Sequence, residues 1–331
     1  MKIKEIIRKY APYCLESDRK KREEYQYAMT LSNIPEPCVY NASGERMRVF
    51  YLQDKSAKFS YSFTAGQNPN SILWDRSNYM LPIHFYTDYE IFSPISTCKK
   101  KFGILLEPEA FLPDLYERIY NNPDLIAQYE AIFTHSKKVC DTYPNAKLYY
   151  GQGAWYGTYV GGGKLDEELY KKKSKLVSMV SSNKTLIESH KRRIEIAQYL
   201  KEHTSIDTFG NFDGGIAVKP SYALEDYMFS VVLENEISEY YFTEKLLNCM
   251  VSMTIPIYSG AMNIGEIFNT EGFIIIDKYS DLAEIAAVVD GCTKEIYLSK
   301  IDAIKENYEI AKSLVNMDDV IYNSYKELFR I

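Results

Sequence analysis

Several things are missing from this sequence, and each absence narrows what the protein can be. No run approaches the ~20 consecutive apolar residues that cross a bilayer. The opening segment, MKIKEIIRKYAPYCLESDRKKREEY, has no apolar core of signal-peptide length. Six cysteines at 14, 38, 98, 140, 249 and 292 form no C-x-x-C pair, and no close His/Cys set suggests zinc. Scattered reduced thiols fit a reducing compartment, so a cytoplasmic location is expected. There is no basic excess. The net charge is −6 and the pI about 5.5, which argues against a general nucleic-acid binder. The local basic clusters at 98–102, 170–175 and 190–193 read as solvated faces. VGGGK at 160–164 is not a P-loop, because the spacing is wrong and Leu165 follows the lysine. No G-x-G-x-x-G follows a strand, which sets aside a dinucleotide oxidoreductase suggested only by paired α/β units. Tandem repeats and low-complexity segments are also missing.

What is present is an ordinary globular composition. The chain has 331 residues, 46% hydrophobic and 25% charged, long enough for two domains. Tyrosine, at 30 copies, outnumbers phenylalanine at 15. A buried tyrosine hydroxyl needs a partner, so half-buried positions and pocket walls are expected for some, and compositional bias explains the others.

The pattern of elements is α/β. Residues 3–30 read as a helix that either packs on the body or lies on a membrane surface, which leaves peripheral membrane association open. Strands are expected at 47–53, 81–88, 101–109 and 130–136, with a helix over 114–129 broken near Asn121–Pro123 and a short helix after Ser136. A glycine-rich stretch over 149–168 reads as a linker, hinge or pocket-lining loop. A second α/β unit follows. Its strands are expected at 175–184, 206–215, 227–235, 254–260 and 272–277. Its helices are expected at 188–203, with Ile194, Ala197, Leu200 and Lys201 near helical spacing, and at 243–252. Residues 280–331 read as mostly helical. Alternating strands and helices imply parallel sheets, with ligands beyond the carboxyl ends of the strands.

One stretch at such an end is crowded. Between the strand ending VVLEN and the helix beginning near Thr243 lie Glu234, Asn235, Glu236, Glu239, Tyr241, Glu244 and Lys245. A helix N-terminus offers free N–H groups and a positive dipole end to phosphate. Lys245 and an arginine from elsewhere can neutralise a diphosphate, Glu244 can accept from ribose hydroxyls, and Tyr241 can pack on a sugar or base. That set suits a nucleoside diphosphate carrying a sugar. The same residues can equally be a helix cap with a solvated lysine.

The order of these motifs resembles glycosyltransferase family 10, the α-1,3/4-fucosyltransferases. The family pattern is roughly F-x-F-E-N-S, an aromatic, V-T-E-K, a helix, then G-T-[IV]-P-[IV]-x-x-G. Here it is similar to LEN–E, Tyr241, FTEK and TIPIYSGA, followed by FN at 268–269 and GFIII. Upstream, SMVSSNK…RR and IDTFGN resemble further family segments, and the likeness is ordered over about 175–280. It is weaker over 1–170, where ILLEPEAF (104–111) looks like the family's G-E-N-E-x-x-N region and DRSNY (75–79) like its neighbour.

The resemblance implies a GT-B fold, two Rossmann-like domains facing a central cleft. The divisions expected are an acceptor-side domain at 1–165, a nucleotide-sugar-binding domain at 166–290, and C-terminal helices at 291–331 that cross back to the first domain. It implies an inverting glycosyltransferase that moves a sugar, L-fucose in the family, from a GDP-sugar donor to a hydroxyl of a glycan acceptor. The acceptor would belong to a surface polysaccharide, lipopolysaccharide or glycoprotein glycan. Another nucleotide sugar, or a non-catalytic relative that kept the fold, is the alternative. Carried over, Arg193 and Lys245 hold the diphosphate, Glu244 the ribose, and Asn235 and Tyr241 the sugar–diphosphate region. Arg193 is preferred to Arg192 because its distance to Leu200 matches the family's arginine–helix spacing. Glu107 matches the general base best and Glu109 next. His135 reads as an acceptor contact, a spare base or a structural histidine. No metal is required: the D-x-D pair that carries metal in many other glycosyltransferases is missing, and a divalent ion would at most stimulate. The pattern's phenylalanine is Leu233 here and its serine is Glu236, so Glu236 is expected beside the sugar.

Overall fold

The computed structural model describes residues 37–54, 68–95, 98–150 and 152–330. The helix expected over 3–30 lies outside these residues.

The first sheet is built from β1 (Val39–Tyr40), β2 (Arg46–Gln53), β3 (Ile72–Asp75), β4 (Ile83–Thr87), β5 (Lys100–Ile104), β6 (Ala131–Thr134) and β7 (Ala146–Leu148). The order runs β1-β2-β4-β5-β6-β7, with β3 also paired to β2, and every pairing except β1–β2 is parallel. Helices α1 (Pro113–Tyr120), α2 (Pro123–Ile126) and α3 (Lys137–Thr142) connect its later strands. The break between α1 and α2 falls at Asn121–Asn122, because Pro123 cannot continue the preceding hydrogen-bond ladder. β4 is buried at all five positions, as expected of a parallel strand covered on both faces.

Phe50, Phe85, Phe102 and Phe133 come from four neighbouring strands and run across one face, with successive ring centroids 5.5, 5.0 and 6.0 Å apart. Such offset aromatic contacts add to the area they bury.

The second sheet contains β8 (Lys175–Ser181), β9 (Asp207–Gly210), β10 (Tyr227–Leu233), β11 (Ile255–Ser259) and β12 (Ile274–Ile275). Its order is β12-β11-β10-β8-β9, parallel throughout. The helices here are α4 (Glu188–His203), α5 (Pro220–Leu224), α6 (Glu244–Val251), α7 (Leu282–Asp290), α8 (Lys294–Ser299), α9 (Ile301–Ser313) and α10 (Met317–Tyr325). The buried stripe of α4 is Arg193, Ile196, Ala197 and Leu200, the i, i+3, i+4, i+7 pattern. This stripe corrects the expected face of Ile194, Ala197, Leu200 and Lys201, since Lys201 is exposed. An arginine can join an apolar stripe because its stem packs while its head reaches a polar site. On α6 every residue from Leu246 to Val251 is buried.

Helices α7 to α9 contribute Ile285, Val289, Tyr297, Ile304 and Tyr308 to the core of the second sheet. α10 and the turn after it instead bring Met317, Ile321 and Phe329 to the phenylalanine face of the first. Polar contacts secure this return. Arg48 donates to the Phe329 carbonyl at 3.1 Å, and the Asp319 carboxylate accepts the Asn70 and Ser71 amides. Sequence reading left β1, β3, β7 and α5 unassigned. Among the described residues no helix is long and apolar enough to cross a membrane. Two doubly wound sheets that share a cleft make this a GT-B fold.

Candidate active site

In the second sheet the strand order reverses between β8 and β10. A crevice opens beyond the carboxyl ends of two such strands, where their connections leave in opposite directions. A cavity of about 350 Å³ sits there. The segment after β8 delivers Ser182 and Lys184 to it, α4 delivers His190 and Arg193, the turn after β10 delivers Asn235, and α6 delivers Glu244, Lys245 and Asn248. The glycine-rich linker contributes Trp155, and the loop after β5 in the first domain contributes Glu107 and Phe111.

Two glycines permit close packing at the strand ends beside the crevice. Gly210 ends β9 at φ +100°, and a Cβ there would collide with the Ser181 carbonyl. A Cβ on Gly260 would crowd the Tyr258 ring and lie 2.7 Å from Glu234 Cγ, so only glycine fits there without a shift.

Arg193 is 7% exposed. Its two terminal nitrogens donate to Asn235 Oδ1 at 3.3 Å and Ser182 Oγ at 2.9 Å. Its Nε is buried without a hydrogen-bond partner, a donor for which a ligand acceptor would compensate. Arg192 points elsewhere, donating to the Lys278 and Ser280 carbonyls and pairing with Glu195. The side-chain oxygen of Thr243 caps α6 by accepting the Lys245 N–H. Lys245 Nζ lies 2.9 Å from Thr243 Oγ1, 3.4 Å from Glu244 Oε1 and 3.5 Å from Glu234 Oε2. Burial opposes its charge, but Glu244 and Glu234 outweigh that and hold its pKa above the usual lysine value.

Behind these residues lies a polar layer that sequence reasoning did not assign. Glu234 is fully buried, and its carboxylate accepts the Thr243 N–H at 2.8 Å and O–H at 2.9 Å. The Lys278 ammonium donates to the Glu234 carbonyl and Ser189 Oγ, both at 2.7 Å, and burial pulls its pKa down to about 8. Asn248 Oδ1 accepts the amides of both Trp155 and Tyr156 at 2.8 Å, which fixes the linker on α6. A buried glutamate at a strand end and an asparagine on an otherwise apolar helix were the available signals.

The carboxyl group of Glu107 faces this cluster from the first domain. Burial pushes its pKa above the usual carboxylate value, and Lys245 acts against that rise. Its carbonyl accepts the Tyr116 hydroxyl at 2.9 Å, and the preceding Leu106 amide donates to Asp88 at 2.9 Å. Of the residues singled out from the sequence, the cavity brings together Glu107, Arg193, Asn235, Glu244 and Lys245. Glu109 and Tyr241 are not among its lining. Glu109 pairs with Lys138 at 3.0 Å, and Tyr241 is buried with its ring 4.8 Å from that of His135. His135 is itself buried, and burial lowers its pKa to about 4. Glu236 was expected beside the sugar. Its carboxylate instead accepts the Ala110 amide of the first domain at 2.7 Å, and the residue is absent from the cavity lining. Among the described residues no group of three or more His, Cys, Asp or Glu is placed to hold a metal ion.

Chemically, the arrangement places an arginine, a lysine and a helix N-terminus on one wall and a carboxyl group of raised pKa on the other. That suits a group leaving as an anion and a nucleophile losing a proton.

Comparison with known proteins agrees in outline. Residues 170–319 match the model of the glycosyltransferase family 10 (fucosyltransferase) C-terminal domain. An alpha-(1,4)-fucosyltransferase of Arabidopsis thaliana is 36% identical over 67 residues, which are 20% of this chain and 17% of that protein. The match thus spans under a fifth of that relative's length. Among solved structures, Anabaena HepE in complex with UDP and glucose is 11% identical and has a TM-score of 0.54. The alignment covers 86% of this chain and 100% of that one. A crystal structure of an alpha1,3-fucosyltransferase is 14% identical, with a TM-score of 0.45 and coverage of 91% and 94%.

Proposed function

We propose, because residues 170–319 match the glycosyltransferase family 10 (fucosyltransferase) C-terminal model, that the protein is an inverting glycosyltransferase that moves L-fucose from GDP-fucose to a hydroxyl of a glycan acceptor. The observation that carries this reading is the meeting of Arg193 and Lys245 in one cavity with Glu107 from the opposite domain.

The roles follow from charge and position. The donor diphosphate lies against the Arg193 guanidinium, the Lys245 ammonium and the free amides at the start of α6. Glu244 accepts from the ribose hydroxyls, while Asn235, already bonded to Arg193, orients that guanidinium toward the phosphates. Glu107 takes the proton from the acceptor hydroxyl as its oxygen attacks the anomeric carbon. The bond from that carbon to the diphosphate oxygen breaks on the opposite face, so the configuration inverts. GDP leaves with its new negative charge already faced by two cations. The raised pKa of Glu107 suits this role, since it makes the carboxylate a stronger base than an exposed glutamate.

The reading is tested by calorimetry with GDP, UDP and TDP, followed by a radiolabelled transfer assay with GDP-fucose. Tight binding of GDP with weak binding of the other two supports it. Preference for UDP or TDP would replace the donor, and nucleotide binding with no turnover on any glycan would make the protein a binding relative.

A further inference from the structure

Glu236 is not used by the mechanism above, nor is the loop it touches beyond Glu107 itself. The loop runs from Glu107 to Phe111, between β5 and α1. It belongs to the first domain, yet it lies against the second at two points. The Ala110 amide donates to Glu236 Oε2 at 2.7 Å, and the Phe111 ring stands 5.9 Å from that of His190 on α4. Internally the loop is a tight turn, with the Phe111 and Leu112 amides both donating to the Pro108 carbonyl at 2.9 and 3.0 Å. Its own domain holds the near end through Asp88 on the Leu106 amide and Tyr116 on the Glu107 carbonyl. Glu107 and Phe111, at the two ends of the turn, both line the donor cavity.

Glu236 directly follows Asn235, which bonds to Arg193. A continuous connection therefore runs from the guanidinium through Asn235 and Glu236 to Ala110, three residues from Glu107. A charged acceptor on a backbone amide is one of the stronger hydrogen bonds available, and a turn this tight passes on its position rather than absorbing it. We propose that Glu236 is a positioning residue, which pins the Glu107–Phe111 turn to the donor domain and so sets the Glu107 carboxyl over the sugar. The inference rests on the donor reading above. It also explains a glutamate where the resembled pattern has serine, whose shorter, neutral side chain could not make this contact.

The test compares Glu236→Ala and Glu236→Gln with the wild-type chain. The glutamine amide oxygen still accepts from Ala110, whereas alanine cannot. Hydrogen exchange at the Ala110 amide is expected to speed up about tenfold or more in Glu236→Ala and to stay near wild type in Glu236→Gln. In transfer assays, kcat of Glu236→Ala falls by about tenfold while GDP affinity changes by less than about threefold, and Glu236→Gln recovers most of kcat. Unchanged Ala110 exchange in Glu236→Ala would overturn the proposal, as would faster exchange with kcat intact. So would equal loss in both variants, since that is the mark of a merely structural site. Failure of the donor reading looks different: the wild-type chain would bind no GDP, while the exchange difference between the two variants persisted.

Discussion

Glu234 Oε2 stands 3.5 Å from Lys245 Nζ, and the same carboxylate accepts both hydrogen bonds offered by Thr243. The ammonium is thus held ready before any donor arrives. It sits at the head of α6 with a buried counter-charge behind it and the cavity in front. A lysine in this position gains a diphosphate without losing its first partner, because Glu234 lies on the wall side and Glu244 on the open side.

Lys245→Ala and Arg193→Ala are each expected to weaken GDP binding on the order of 30-fold or more, since each removes one charged partner from a desolvated contact. Arg192→Ala is the control. Its guanidinium is committed to the Lys278 and Ser280 carbonyls, so GDP affinity stays within about twofold of wild type. Calorimetry on the three variants separates them. Equal losses for Arg192 and Arg193 would remove the diphosphate role of Arg193.

Glu107→Gln is expected to leave GDP affinity intact and to cut transfer by about 10²–10⁴-fold. The base acts as the carboxylate, so the rate falls as pH drops through its pKa. Burial has raised that pKa, which places the acidic limb of the kcat profile above the ~4.3 of an unperturbed glutamate. A limb at or below that value, measured with saturating donor, would point to a different base.

Asn248→Ala strands the Trp155 and Tyr156 amides that now share one acceptor. The expected cost is about 2 kcal/mol in urea denaturation. GDP affinity should fall as well, because Trp155 then loses its fixed place in the cavity wall. A variant as stable as wild type, with unchanged affinity, would show that the linker is held by other contacts.

His135 supplies a pH dependence of stability. Burial lowers its folded-state pKa to about 4, against ~6.5 for an unfolded histidine. Between those values the unfolded chain binds the extra proton, so this contribution is complete above ~6.5 and is lost as pH falls toward about 4. His135→Phe keeps a ring against Tyr241 without the titration. Going from pH 7 to pH 5, the wild type should lose more stability than the variant, by up to about 2 kcal/mol. Parallel losses in urea melts at the two pH values would refute this.

Much of the second domain was legible because its elements obey local rules. Thr243 announces a helix start, the run from Tyr227 to Leu233 has the unbroken apolar character of a central parallel strand, and Glu188–His203 matched its expected bounds. The four cavity residues expected from that half arrive together because strand ends and helix starts adjoin in this topology. Glu236 was misplaced for an instructive reason: its partner is a backbone amide 126 residues away, which no local pattern encodes. Tyr241 has a contact just as invisible to local pattern. An aromatic in a polar turn reads as a ligand contact, but it is buried on His135 from the other domain. The strand Ile72–Asp75 went unassigned because four residues are too few for alternation to register.

The return of α10 to the first sheet sets an order of events during synthesis. The phenylalanine face from β2 to β6 is complete in the growing chain long before its lid exists, because Met317, Ile321 and Phe329 are translated after the whole of the second sheet. Domains generally fold as units while they emerge from the ribosome. Among the described residues, the part of that face packed by Met317, Ile321 and Phe329 has no cover until the later domain has been made, so the upstream half depends on the downstream half to mature. A nascent chain stalled before residue 317 should therefore hold chaperones on its first domain, and the completed chain, once released from the ribosome, should shed them.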